Sequence, residues 1–293
     1  MELLVTLTNL NLLERLAAEK IDGIIFGGLF SNKYNYTNEE IVNISDYLKQ
    51  NNIKQYISID TFIGEDDLLE LDKYLNFLNS LDIDGLYFND LSIIQLSQKY
   101  NFKNKLIYDP STLTTNSNDI GYYLNTGIDC VLARELSLEE IVEIIKKHPY
   151  KLDMQIFGHL RMSYSKRKFL SNYFKEIDRE VDIENKDSIT LVEESRNYRL
   201  PIKETKYGTC IYTDYILLMY AEYFYLNKLI KRAIIDTEFV FTEVVFDVLR
   251  DIKRLNAQNA EFLEDSLKVK YQQYSFSNGY LYQKTTDKKQ DDE

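Results

Sequence analysis

The stretch of this chain richest in chemically capable groups runs over residues 153–173, D-M-Q-I-F-G-H-L-R-M-S-Y-S-K-R-K-F-L-S-N-Y. Arg161, Lys166, Arg167 and Lys168 form a basic cluster there, in a chain whose formal net charge is -12. Guanidinium and ammonium groups gathered this closely suit an anion, either a phosphate or carboxylate held through Arg forks or the acidic rim of a partner subunit. The alternative is a solvated face. His159 offers a general base beside the cluster, although a histidine satisfied as a structural group is the commoner case. Tyr164 lies in the same segment.

Other candidates are scattered along the chain. Asp60 ends a predicted strand and is placed as a site carboxylate. Arg134 and Glu135 end another and read as a structural clamp. Cys130 and Cys210 read as small buried hydrophobes. Gly27 and Gly28 lack the spacing of a phosphate-binding loop, and a tight turn accounts for them. There is no G-x-S-x-G, no H-E-x-x-H and no Cys/His pair, so no residue is assigned a catalytic role. With two cysteines and two histidines, a compact zinc or iron–sulfur ligand set is not expected, and neither is a metal or other cofactor.

The elements that must position these residues follow from the hydrophobic pattern. Short β-branched or aromatic runs at 3–6, 23–28, 55–60, 85–89, 105–109, 130–134 and 152–157 alternate with amphipathic stretches. Repeated βα units predict a parallel sheet, and seven of them predict an α/β, TIM-barrel-like (β/α) barrel with a C-terminal α+β extension. The helix after the sixth strand opens on Ser137-Leu138-Glu139-Glu140, a capping box, and turns Leu138, Ile141, Val142, Ile144 and Ile145 toward the sheet. Pro110, Pro149 and Pro201 are expected at element boundaries. The basic segment follows the seventh strand, which places it on the C-terminal face where barrel sites gather.

Residues 1–173 are thus read as a barrel core carrying this segment at its end. Residues 174–283 are an α+β region that completes or covers the barrel, with short strands at 189–193 and 198–202 and a strand-like 238–241 able to close it. Residues 284–293 are a charged, disordered tail. The N-terminal residues lack a basic leader region and read as strand then helix, and no run approaches the ~20 apolar residues of a membrane span. Few cysteines suit a reducing cytoplasm. A charge of -12 opposes stand-alone binding to a phosphate backbone.

Residues 153–173 resemble the signature of the collagenase-like peptidase family, family thirty-two of the peptidases of unknown mechanism, whose typical form is E-V-F-V-H-G-A-L-C-M-A-Y-S-G-R-C-L-L-S-G-Y. Laid without a gap, Asp153 takes the Glu place, and Gly158, Leu160, Met162, Tyr164, Ser165, Arg167, Leu170, Ser171 and Tyr173 match. Phe157 stands in place of His, Lys166 in place of Gly, and Arg161 and Lys168 in place of the two motif cysteines. The family's further C-x-x-x-C pair has no counterpart in residues 174–200. Looser echoes are Ala133-Arg134-Glu135-Leu136-Ser137, similar to A-R-E-L-S, and Tyr207-Gly208-Thr209, similar to a G-T segment before a helix.

In related proteins those cysteines are taken to hold a four-iron cluster, which needs four thiolates; the resemblance therefore implies a member without cluster ligands. Within the family the chain resembles paired paralogues of low-GC Gram-positive bacteria linked to hydroxylation of the tRNA wobble uridine. That implies a cytoplasmic accessory subunit partnered by a cysteine-bearing paralogue, meeting tRNA through the complex. Two other readings stay open: a peptidase, metal-assisted through Asp60 and Asp109, and a binding barrel holding a small carboxylate metabolite by Arg161 and Lys168.

Overall fold

The computed structural model describes residues 1–100, 102, 105–193 and 198–283, so the tail expected at 284–293 lies outside the described residues. Seven parallel strands come in chain order: β1 (Glu2–Thr6), β2 (Gly23–Phe26), β3 (Lys54–Ile59), β4 (Gly85–Phe88), β5 (Leu106–Tyr108), β6 (Asp129–Val131) and β7 (Leu152–Ser165). Between them run α1 (Leu13–Ala18), α2 (Asn38–Gln50), α3 (Leu68–Ser80), α4 (Ser92–Ser97), α5 (Ser117–Asn125) and α6 (Leu138–Lys147). Each predicted strand run corresponds to one of these strands, and most of its residues are buried, one face against the helices and the other in the barrel interior.

The α6 capping box forms as expected. Ser137 Oγ accepts from Glu140 N at 3.3 Å, and the Glu140 carboxylate accepts from Ser137 N at 2.8 Å. Ile141, Ile144 and Ile145 are buried against the barrel, each burial worth roughly 1.5–3 kcal/mol.

After β7 the chain leaves the barrel for α7 (Phe169–Glu176), β8 (Thr190–Glu193), β9 (Tyr198–Thr205), β10 (Gly208–Leu218) and α8 (Tyr220–Leu226). It then returns as β11 (Arg232–Ile235), which pairs parallel with both β1 and β7 and closes an eight-stranded barrel. The closing strand is therefore 232–235, and the strand-like 238–241 is not a strand. Phe239 adopts φ +60°, which breaks the extended run, and Phe241 caps α9 (Thr242–Arg254). The barrel is completed only after the extension has been built. The chain continues as α10 (Ala260–Lys270) and β12 (Phe276–Ser277), the latter pairing parallel with β10.

β7 runs eight residues past its predicted end at 157. Through Phe157 it belongs to the barrel; from there to Ser165 it pairs antiparallel with β10, whose other edge carries β9 and then β8. The passage depends on Gly158, at φ +109°, where a Cβ would lie 2.4 Å from the Asp236 carbonyl oxygen. Only glycine lets the strand cross that close to the chain leaving β11. The extension corrects two further expectations. Pro201 lies inside β9, and Gly208 turns the β9–β10 hairpin rather than preceding a helix.

The barrel floor is polar as well as apolar. Tyr56 fills the space left by Gly23 and Gly85, where added Cβ atoms would lie 2.8 and 2.6 Å from its ring. Beside it Arg232 donates to both Asp153 oxygens at 2.8 Å, and the Tyr87 hydroxyl donates to Asp153 at 2.7 Å. Among the described residues, no helix is long and apolar enough to cross a membrane.

Candidate functional site

Four strands end on the same chemical note. Asp60 follows β3, Asn89 follows β4, Asp109 follows β5 and Asp236 follows β11. Side chains alternate along a strand, so each continues the interior-facing row below it: Tyr56, Ser58 and Asp60 in β3, Ile234 and Asp236 in β11. The result is a ring of polar groups at the C-terminal mouth of the barrel.

Cations from loops and from the extension meet this ring. Arg134, in the loop after β6, makes a bidentate pair with Asp109 at 2.9 and 2.8 Å, and its Nε donates to Gln155 at 2.8 Å. Arg161, on the part of β7 above the barrel, reaches Asp60 Oδ2 at 3.0 Å and the Asp60 carbonyl at 3.2 Å. Lys33 is paired with Asp236. Lys203 of β9 lies 3.0 Å from Glu238, which also accepts from the Tyr212 hydroxyl at 3.0 Å. Lys33, Arg134, Arg161 and Lys203 are thus matched by Asp109, Asp60, Asp236 and Glu238.

The pairing shifts the titration of Asp109 and of Lys33. Burial alone would raise the Asp109 carboxyl, but the charge and hydrogen bonds of Arg134, with Arg161 and Lys33 behind it, hold it at about 2. Burial would likewise lower Lys33, yet Asp236 and Glu238 keep its ammonium more basic than usual. The pairs close the mouth, and the cavity left among Thr6, Tyr34, Asp60, Asp109, Arg134 and Asp236 is about 40 Å³, room for a few water molecules.

The predicted site residues separate into three environments. Asp60, Arg134 and Arg161 are brought together at the mouth, and Tyr164 stands just above, its hydroxyl donating to the Tyr207 carbonyl at 3.1 Å and its ring 5.8 Å from the Arg161 guanidinium. Arg134 lies in a turn after β6 rather than within the strand, and Glu135 beside it is exposed. His159 is buried in β7 with Nδ1 2.8 Å from the Thr213 carbonyl and its ring edge-on to Phe239 at 6.2 Å. Burial lowers its basicity despite that carbonyl.

The rest of the basic cluster lies outside the mouth. Lys166 reaches Asp67 at 3.3 Å, Lys168 reaches Glu184 at 3.7 Å, and Arg167 is exposed. The reason is α7, whose first amides donate to Glu204 and Thr209 of the hairpin and so swing 166–168 away from Arg161. Arg161 and Lys168 do not converge on one anion, and Asp60 and Asp109 already accept guanidinium donors where a metal would need their lone pairs.

Lys33, Asp236, Gln155 and Glu238 were not legible as site residues. The one available signal was the Asp or Asn that ends three of the predicted strand runs, at positions 60, 89 and 109.

An eight-stranded (β/α) barrel with a charge-paired mouth, overhung by an antiparallel sheet that its seventh strand enters, defines the class. A family model described as Peptidase family U32 matches residues 9–291, and the chain belongs to that family. It is 28% identical over 200 residues to the tRNA hydroxylation protein P2 of Bacillus subtilis, covering 67% of this chain and 63% of that protein. It is 32% identical over 148 residues to an uncharacterized protease of Methanocaldococcus jannaschii, covering 49% of this chain and 36% of that protein. The matches span less than two thirds of either relative. A solved U32 peptidase structure superposes with a TM-score of 0.50 at 15% identity, covering 80% of this chain and 92% of that one, which shows a shared fold.

The donor set does not fit a four-iron cluster. Positions 161 and 168 carry an ion-paired arginine and lysine, and the two cysteines are buried on different strands, Cys130 in β6 and Cys210 in β10. Burial pushes both thiols up to about 12, with Asp129 and Asp153 adding to it at Cys130 and Arg161 opposing it at Cys210, away from the thiolate form a cluster needs. Among the described residues, no group of three or more His, Cys, Asp or Glu is placed to hold a metal ion.

Proposed function

We propose that this chain is an accessory subunit, without an iron–sulfur cluster, in 5-hydroxylation of the tRNA wobble uridine, acting in the cytoplasm beside a cysteine-bearing paralogue. The Bacillus subtilis relative, a tRNA hydroxylation protein, supplies the reaction. The Arg161–Asp60 pair carries the accessory role: an arginine aligned with a motif cysteine is engaged by a carboxylate at 3.0 Å, so that position is built for a structural clamp instead of a thiolate ligand.

Two further features support a partner. None of the residues of α7 is buried, and Phe169, Tyr173 and Ile177 are exposed along it with Val181 beyond. An apolar face of this kind suits a second chain. A net charge of -12 supports leaving the tRNA phosphates to such a partner. The peptidase reading suggested by the family name finds Asp60 and Asp109 already occupied.

Co-expression with a cysteine-bearing paralogue and affinity pull-down test the proposal together with a deletion strain. Co-purification and loss of wobble-uridine hydroxylation are the expected results. A chain that ignores the paralogue, with tRNA hydroxylation unchanged by its deletion, would refute it. Anaerobic reconstitution of the isolated chain with iron and sulfide is expected to produce no cluster absorbance.

A further inference from the structure

The helix α7 spans 8 residues and buries none of them. Helices this short are held mainly by packing one face against the body of a protein, and here the first amides are anchored on Glu204 and Thr209. Phe169, Tyr173 and Ile177 follow one another at intervals of four, which lines them up along one side of the helix. They are 43%, 57% and 41% exposed. A row of large apolar groups turned to water marks a contact surface.

The charges at the two ends of this row select its occupant. Lys166, Arg167 and Lys168 precede the helix, and Glu176, Asp178, Glu180 and Asp182 gather at its other end against Lys175 and Arg179. No acidic residue lies in the first turn. Basic groups at a helix N-terminus and acidic groups at its C-terminus both oppose the helix dipole, so this order does not serve α7 itself. The pairs that Lys166 and Lys168 make with Asp67 and Glu184, at 3.3 and 3.7 Å, are exposed and contribute little. A uniformly basic or uniformly acidic partner would match one end of the row and be repelled by the other. A helix that carries the same two ends in reverse matches both, and α7 of a second copy, turned antiparallel, is such a helix.

We infer that α7 is the twofold interface of a homodimer in the isolated chain, with the two apolar rows in contact, Tyr173 beside the axis and the basic end of each helix over the acidic end of the other. One face contributes twice, as a closed twofold contact requires, and local pairs of opposite charge form between chains that each carry -12. The inference goes beyond the accessory reading and does not rest on it; the cysteine-bearing paralogue enters the test as the competing occupant of this face.

Sedimentation velocity of the purified full chain across the micromolar range is expected to show a reversible monomer–dimer equilibrium. Tyr173→Asp should leave a monomer with unchanged circular dichroism. Lys166→Glu with Lys168→Glu, and separately Glu176→Lys with Glu180→Lys, should each raise the dimer dissociation constant at least tenfold, because like charges then meet at both ends. Combining all four reversals restores opposite charges across the axis and should recover the dimer, a result that a role confined to one chain would not produce. A chain that stays monomeric up to millimolar concentration, a dimer that Tyr173→Asp leaves intact, or a quadruple variant as weak as the two double variants would overturn the homodimer. A chain monomeric alone that binds the paralogue, and loses that binding in Tyr173→Asp, would overturn it and give the face to the paralogue. Dimerisation through α7 combined with unchanged tRNA hydroxylation in the deletion strain would refute the tRNA reading and leave the interface standing.

Discussion

The Arg161 guanidinium lies 3.0 Å from the Asp60 carboxylate and so ties the strand that leaves the barrel to the end of a strand inside it. Their side chains are 10% and 13% exposed. Removing one partner strands the other charge in a site with little water, at a cost of about 3–5 kcal/mol. Arg161→Ala should therefore lower the urea unfolding free energy by about 3 kcal/mol, whereas Arg161→Met combined with Asp60→Leu should cost markedly less. Equal losses in the single and double variants would show that the pair is not a unit.

Gly158 allows β7 to cross the chain leaving β11. At φ +109°, with the Asp236 carbonyl 2.4 Å from where a Cβ would sit, Gly158→Ala meets both backbone strain and a steric clash. The expected result is failure to accumulate as folded protein, while Gly121→Ala, whose nearest neighbour is the His148 ring at 3.5 Å, should remain soluble and cooperative in thermal melts. Equal melting temperatures for the two variants would contradict this account of β7.

Two carboxyls give opposite pH signatures. Burial raises Asp153 to about 6 against the pull of Arg232 and Tyr87, compared with ~3.9 in an unfolded chain. The fold therefore binds this proton more tightly, and the stability it contributes is full below about pH 4 and is lost as pH rises through about 6. Asp109, which burial would raise and Arg134 holds at about 2, contributes above about pH 4 and loses its contribution as pH falls toward 2. Melting temperatures of Asp153→Asn should lack the decline of the wild type between about pH 4 and 6, and those of Asp109→Asn should differ in slope only below about pH 4. Parallel curves for all three proteins would exclude both assignments.

The outer part of the basic cluster is expected to matter little for folding. Lys166 and Lys168 are 47% and 42% exposed in their ion pairs, and exposed pairs of this kind contribute about 0–1 kcal/mol. Lys168→Glu should shift the unfolding free energy by less than about 0.5 kcal/mol. A loss of paralogue binding without a loss of stability would locate a contact surface there; a loss of stability would place Lys168 in the packed structure instead.

The chain's local patterning carried much of the fold. Runs such as Gly85–Phe88, buried throughout, announce barrel strands because a strand apolar on both faces must be covered on both. The Ser137–Glu140 capping box likewise marks a helix start by contacts only three residues apart. The end of β7 was less legible, since G-H-L-R-M-S-Y-S has little strand propensity and extends only because β10 pairs with it.

Taken alone, the sequence determined a (β/α) barrel, a Gly at the crossing point and the replacement of motif cysteines by Arg161 and Lys168, because periodicity, residue type and spacing are local properties. The tertiary structure decided which segment closes the barrel and which charges meet. Arg161 and Asp60 are 101 residues apart, and Lys33 and Asp236 are 203 apart. Pairings over such separations depend on strand order and register, which no local pattern encodes. A cluster that looked like one basic patch was thereby divided into a buried clamp at Arg161 and a solvated edge at Lys166–Lys168.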